Sequence, residues 1–254
     1  MTIPLCTQHC VRARGGDTGL GRRFLFKEES MRTIAYVDGQ NLYFSCLKGT
    51  AFKWIDLERL LKRIVCEVKP ESELISIRYF TSPIKGNLAR HGKISAHAQA
   101  EYLRALKCNP MIDIIEGRFS VRGVHALRHL IPPDLTARVR IWRAEEKETD
   151  VSIAMAMYRD ARDGAADHLV LVTNDSDLLP ALRAIRDDAT VMVGVILPLK
   201  KKVASESAAP RPSTSLALHA DWLLPHIAEA DLAACQLAPL IHTRRRPARR
   251  PAHW

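Results

Sequence analysis

At 254 residues, 47% of them hydrophobic, the chain can build one α/β domain with decorations, which excludes a mostly disordered protein. The net charge of +10 suggests a polyanionic partner, but residues 1–30 hold +2 of it and residues 243–254 hold +5, leaving +3 on residues 31–242. Cys6, Cys10, Cys46, Cys66, Cys108 and Cys235 form no CxxC, which argues against a zinc ribbon or disulfide framework and fits a reducing cytoplasm; no apolar stretch reaches the roughly 18 residues of a membrane-spanning helix.

In chain order, residues 1–30 lack periodicity and are rich in Gly and Arg, as a disordered extension would be. A second reading puts the translation start at Met31, because Lys27-Glu28-Glu29-Ser30 can be encoded by a purine-rich, ribosome-binding string. Peptides from residues 1–30 in mass spectra of the native protein would reject that reading. TIAYV (33–37) is a short strand that stops at Asp38-Gly39, a turn signal. WIDLERLLKRIVCEV places Leu57, Leu60, Leu61, Ile64 and Val68 on one helical face. ELISIRYF (73–80) reads as a buried strand. Residues 93–107 read as a helix with Ala96, Ala100, Leu103 and Leu106 inward. MIDIIEGRF and ARVRIW read as strands separated by a less regular insert, 120–137. A helix over 150–161 would face Val151, Ala154, Met155 and Tyr158 inward. HLVLVT is a strand, Leu178–Arg186 a helix and VMVGVIL a strand.

Strands alternating with helices predict a mostly parallel sheet with helices on both faces, over residues 31–199. The Pro- and Ser-rich stretch 200–215 then reads as a mobile basic loop, 216–242 as a C-terminal helical segment packing on the domain, and 243–254 as an extended basic tail.

Acids recur where strands hand over to helices. Asp38 ends the first strand, Asp150 opens a helix, and Asp175 and Asp177 follow the HLVLVT strand. In a parallel sheet these positions share one edge, where ligands bind near a topological switch point. Clustered carboxylates repel unless a cation sits among them, and an oxygen-rich set suits Mg²⁺ or Mn²⁺. Each acid also has a plain structural role open to it, as a turn residue, a helix cap or a partner of the helix dipole.

The segments VDGQNLY (37–43), EEKETDVSIAMAM (145–157) and VTNDSDLLPAL (172–182) resemble, in order and spacing, the NYN domains of the PIN-like nuclease superfamily. The resemblance covers about Met31 to Leu199, and VGVILP (193–198), LAACQLAP (232–239) and the closing RPAHW extend it. It implies a PIN-like three-layer α/β/α sandwich and a cytoplasmic ribonuclease dependent on Mg²⁺ or Mn²⁺. Asp38, Asp150, Asp175 and Asp177 match the family's metal-holding acids. Asn41 matches a polar position that holds a metal-bound water or a phosphate oxygen; a helix cap is the equal alternative. Thr173 and Ser176 stand as phosphate contacts or caps, and Lys200, Lys201, Lys202 and the arginine tail as RNA phosphate contacts. Glu148 and Thr149 depart from the pattern, since many members have Gly and a small or β-branched residue there. Glu148 is a fifth acid or a solvated one.

Other patterns carry less. His125 and His129 lack the Glu of a zinc-protease motif, Cys46 has no base partner, and aromatics (6%) do not interleave with basic residues as in a stacking-type strand binder. The alternative function is a non-catalytic RNA-binding or adaptor module that retains the acidic pocket. A phosphatase is weaker, because Asp38 is followed by Gly-Gln-Asn rather than a DxDGT pattern. No membrane partner is expected, and a homo-oligomer is left open.

Overall fold

In the computed structural model, which describes residues 30–86, 92–200 and 213–254, the apolar run ahead of Asp38 forms β1 (Met31–Asp38) at the middle of a sheet. Ile34 and Tyr36 point to one face and Ala35 and Val37 to the other, all buried. A strand buried on both faces must be apolar throughout, which is why this run shows no alternation. The chain continues through α1 (Gly39–Asn41) and a wide π-helical turn (Leu42–Leu47) to α2 (Leu57–Val68), capped by Asp56 on the Arg59 N–H. Next come β2 (Ser72–Thr81), α3 (Lys93–Leu106), β3 (Ile112–Glu116), β4 (Arg118–Leu127), β5 (Arg138–Lys147) and α4 (Thr149–Arg162). The remainder is β6 (His168–Val172), a 3₁₀ turn (Ser176–Leu178), α5 (Leu179–Asp188), β7 (Met192–Ile196), α6 (Thr214–Ala217), β8 (Trp222–Leu224), α7 (Glu229–Ala234), β9 (Leu240–Ile241) and β10 (Ala248–Arg249).

Six parallel strands in the order β3-β2-β1-β6-β7-β8 form the central sheet. On one face α2 and α3 pack Leu57, Leu61, Tyr102 and Leu106 against Val37, Ile77 and Val172. On the other, α4 and α5 pack Ile153, Met157, Leu182 and Ile185 against Tyr36, Phe80 and Leu171. This is the three-layer PIN-like sandwich. Strand order reverses between β1 and β6, so the switch point lies where Asp38 meets the residues after Val172.

Several helix faces differ from the periodicity, each because a paired polar residue is turned inward. In α4 the buried face is Ile153, Ala156, Met157, Asp160 and Ala161, while Val151 and Met155 are exposed. Asp160 is held by the Tyr36 hydroxyl (2.5 Å) and Arg78 (2.7 Å), so the helix rotates to bury it. In α3, Ala98, Glu101, Tyr102, Ala105 and Leu106 are buried, and Ala100 is exposed. Glu101 accepts from Arg104 (2.7 Å), Arg246 (2.5 Å) and the Arg249 N–H (2.9 Å), which holds its carboxyl down at about 2.

The insert 120–137 is also corrected: β4 and β5 pair antiparallel over ten residues each, as one long hairpin. Segment 216–242 is not simply helical, since Trp222–Leu224 is the sixth strand of the sheet. Nor is the tail merely extended. Its β10 pairs with β9, Ala248 is buried, and Trp254 packs on Trp54 and Tyr102 with ring centroids 6.2 and 5.9 Å apart. Residues 1–29 and 201–212, which include most of the expected extension and loop, lie outside the described residues. Among the described residues no helix is long and apolar enough to cross a membrane.

Candidate functional site

The site starts from two strand ends side by side. Val37 pairs with Val172, so Asp38 stands next to Thr173. Asp38 is 5% exposed; one carboxylate oxygen accepts from the Asn41 N–H (2.9 Å) and the other from the Thr173 hydroxyl (3.1 Å). Thr173 Oγ1 accepts in turn from the Asp175 N–H (3.1 Å), and Asn41 Oδ1 accepts from the Asn174 N–H (3.0 Å). Two short polar side chains therefore tie the loop after β1 to the loop after β6 and fix the spacing of their acids.

That wiring changes three of the assigned roles. Thr173 is fully buried and spent on its neighbours, so it positions Asp38 instead of touching phosphate. Asn41 neither caps a helix nor faces the acids with its side-chain oxygen; it clamps the second loop. Asp175 itself caps the 3₁₀ turn through the Asp177 N–H (3.0 Å), while Ser176 is exposed.

Gly39 is required by close approach. A Cβ there would lie 2.5 Å from the Tyr79 ring and 2.7 Å from the Phe80 carbonyl oxygen. The Tyr79 hydroxyl is thereby packed beside the strand end, and burial together with the charges of Asp38 and Glu146 raises its pKa.

Asp150 sits in the first turn of α4, exposed, where the helix dipole favours an acid. Glu146, near the end of β5, accepts from the Thr149 hydroxyl (2.5 Å) and reaches both Asp38 and Asp150 through its charge. It is the fifth acid of the cluster. Glu148 is not: it is exposed, paired with Arg118 (2.6 Å), and stands in the left-handed region at φ 78°. Glycine adopts that conformation without strain, which fits the Gly that the resemblance implies at this place. The signal for Glu146 was its membership of a strand that delivers residues to the same edge.

Electrostatically the acids confront one another. Burial lifts Asp38 to about 6 despite its two hydrogen bonds, with repulsion from Asp150 and Glu146 adding to the rise. Asp150 is raised by partial burial and then by Asp175, Glu146 and Asp177. Asp38, Glu146, Asp150, Asp175 and Asp177 therefore share one field, and the charges bearing on Asp38 and Asp150 are acidic. Among the described residues, no group of three or more His, Cys, Asp or Glu side chains is placed to hold a metal ion. The donor set instead fits a hard divalent ion that takes one or two carboxylates and keeps its waters. Lys200 is exposed at the end of the sheet, its ammonium donating to the Lys48 carbonyl (3.2 Å). Lys201 and Lys202 lie outside the described residues.

The family model for the NYN domain matches residues 32–216. The 6-hydroxy-3-succinoylpyridine 3-monooxygenase HspA of Pseudomonas putida (strain DSM 28022 / S16) is 36% identical over 246 residues, spanning 89% of this chain and 76% of that protein. A crystal structure of a protein of unknown function from Vibrio parahaemolyticus RIMD 2210633 aligns with a TM-score of 0.48 at 16% identity, over 83% of this chain and 99% of that one.

Proposed function

Because the chain belongs to the NYN domain family, we propose that it hydrolyses RNA phosphodiester bonds at the acidic edge between β1 and β6, with Mg²⁺ or Mn²⁺. The observation that carries this reading is the side-by-side placement of the β1 and β6 ends, where burial and neighbouring acids raise both Asp38 and Asp150, a strain that a divalent cation would relieve. Asp38, Asp150, Asp175 and Asp177 would hold one or two such ions, each through one or two carboxylates and otherwise through water, with Glu146 within electrostatic reach. When bound, the ion supplies Lewis acidity and positive charge to offset that of the phosphate. The Thr173 hydroxyl and the Asn41 backbone N–H hold Asp38 against rotation, so its carboxylate needs no reorganisation when substrate arrives.

Phosphate contacts in this reading come from Lys200–Lys202, and less from the tail, where Arg246 is committed to Glu101. Cleavage of RNA with Mn²⁺ by the wild type and by Asp175→Asn tests it. The variant should lose at least a hundredfold in rate, roughly the worth of one transition-state-stabilising group; equal rates would mean a contaminating nuclease and would end the proposal.

A second reading is favoured by HspA, whose name assigns it a monooxygenase activity on 6-hydroxy-3-succinoylpyridine. Under it the same edge would take a small substituted pyridine. Consumption of that compound with O₂ and a reduced nicotinamide or flavin, by a preparation inert towards RNA, would select the second reading over the first.

A further inference from the structure

The β4–β5 hairpin has two faces that differ in how their charges are used. Cross-strand partners share a face, and faces alternate along each strand. One face carries Arg118, paired with Glu148, Arg122 and Arg143, which share Glu145, and at its base Lys147, which has no ion pair among the described residues. The other carries, from the base outward, Phe119 opposite Glu146, Gly123 opposite Trp142, His125 opposite Arg140 and Leu127 opposite Arg138. Arg138 and Arg140 have no acidic partner among the described residues, and Trp142 is 72% exposed. Residues 118–147 hold seven Arg and Lys against three Asp and Glu, so the hairpin is a local concentration of positive charge.

Gly123 shapes this second face. With no side chain opposite Trp142, the indole and the Arg140 guanidinium lean over bare backbone: a Cβ at Gly123 would lie 3.5 Å from Arg140 Nε and 4.0 Å from Trp142. The result is a flat ring beside an unneutralised guanidinium, both open to solvent. At about 3.4 Å per residue, Trp142 stands about 14 Å and Arg138 about 27 Å along the strand from Glu146. The same face begins at the acid cluster and leads outward from it.

We infer that this face of the hairpin is a guide for single-stranded RNA, in which Trp142 stacks an unpaired base and Arg138 and Arg140 hold the flanking phosphates. The inference rests on the proposed nuclease site, because the track is aimed at its acids. Stacking on an indole requires a base free of a duplex, and guanidiniums without acidic partners release counterions to a phosphate backbone. Charge complementarity favours this occupant over a second copy of the chain, although Leu130, Ile131 and Leu135 leave the hairpin tip apolar.

The test is fluorescence anisotropy of a labelled poly-uridine oligonucleotide with chelator present, so that binding is read without cleavage. Trp142→Ala should weaken binding by about tenfold. The pair Arg138→Ala with Arg140→Ala should weaken it similarly and flatten its salt dependence. The pair Arg122→Ala with Arg143→Ala, on the paired face, should change it less than about twofold, since those cations are already committed. Equal loss from both faces, no loss from either, tighter binding of duplex than of single strand, or a Trp142→Ala protein with altered oligomeric state by sedimentation would each overturn the inference. Face-selective binding by a wild type that cleaves nothing with any divalent ion would remove the nuclease reading and leave the guide standing. Cleavage that is indifferent to Trp142→Ala would do the reverse.

Discussion

Replacing Asp38 with Asn should make the protein more stable while removing the proposed RNA cleavage. Asp38 is buried, and its pKa in the fold is about 6 against an ordinary value of 3.8, with burial the largest cause and repulsion from Asp150 and Glu146 adding to it. A rise of roughly two pH units at about 1.4 kcal/mol each means that the ionised carboxylate opposes folding by about 3 kcal/mol at most. The sign is fixed by linkage: a raised carboxyl pKa contributes stability that is whole below 3.8 and is lost as pH climbs through about 6. Asparagine keeps the acceptor for the Asn41 N–H but turns an amide towards Thr173, which costs about 1 kcal/mol. The net gain at pH 8 is about 1–2 kcal/mol, or roughly 2–8 °C in Tm for a chain of this size. Thermal unfolding in chelator, from pH 4 to pH 8, is the assay. The gap between variant and wild type should open between pH 4 and 6 and stay level above that. Added Mn²⁺ should raise the wild type and leave Asp38→Asn nearly unmoved. A gap that does not change with pH, or a variant less stable than wild type at pH 8, would show that the carboxylate is not strained by its neighbours.

Two further substitutions probe structure away from the acids. Glu148→Gly relieves a left-handed backbone at the cost of an exposed ion pair with Arg118; it should raise stability by about 1 kcal/mol in urea titrations, and a loss of stability would count against strain at φ 78°. His168 is buried between Ser72, Thr33 and the Trp222 indole, and burial first lowers its pKa to about 4. The fold therefore prefers the neutral ring. Relative to His168→Gln, the wild type should lose up to about 3 kcal/mol as pH falls from 6.5 to 4, and a constant difference would refute this.

Much of the architecture follows from runs that are apolar throughout, such as TIAYV and HLVLVT, because a central parallel strand leaves no polar face to confuse the reading. The positions of Asp38, Asp150, Asp175 and Asp177 at one edge follow from the same logic. Helix faces were less legible. Periodicity assumes that only apolar residues turn inward, and Asp160 and Glu101 break that assumption through partners that are distant in sequence: Tyr36 lies 124 residues from Asp160 and Arg246 lies 145 from Glu101. Glu146 was hidden among three glutamates that only strand register separates: Glu145 and Glu146 face opposite ways, and Glu148 lies beyond the strand. The tail reads as basic by composition, yet Ala248 and Trp254, two of its few apolar residues, anchor it to the core. Aromatic content likewise says nothing of Trp142, whose setting beside Arg138 and Arg140 on one face depends on the hairpin forming.

The hydrogen bond from Thr173 to Asp38 spans 135 residues of sequence. Synthesis runs from the N-terminus, so Asp38 emerges from the ribosome long before the strand that must lie beside it. Until β6 docks on β1, Asp38 stays apart from Asp175 and Asp177, because only that strand pairing brings them to one edge. Under the proposed function the protein is made next to a potential substrate, its own message, and the proposed site is assembled only after β6 has been translated. Under that proposal, sequence distance works as a clock that delays the activity until β6 has joined the sheet.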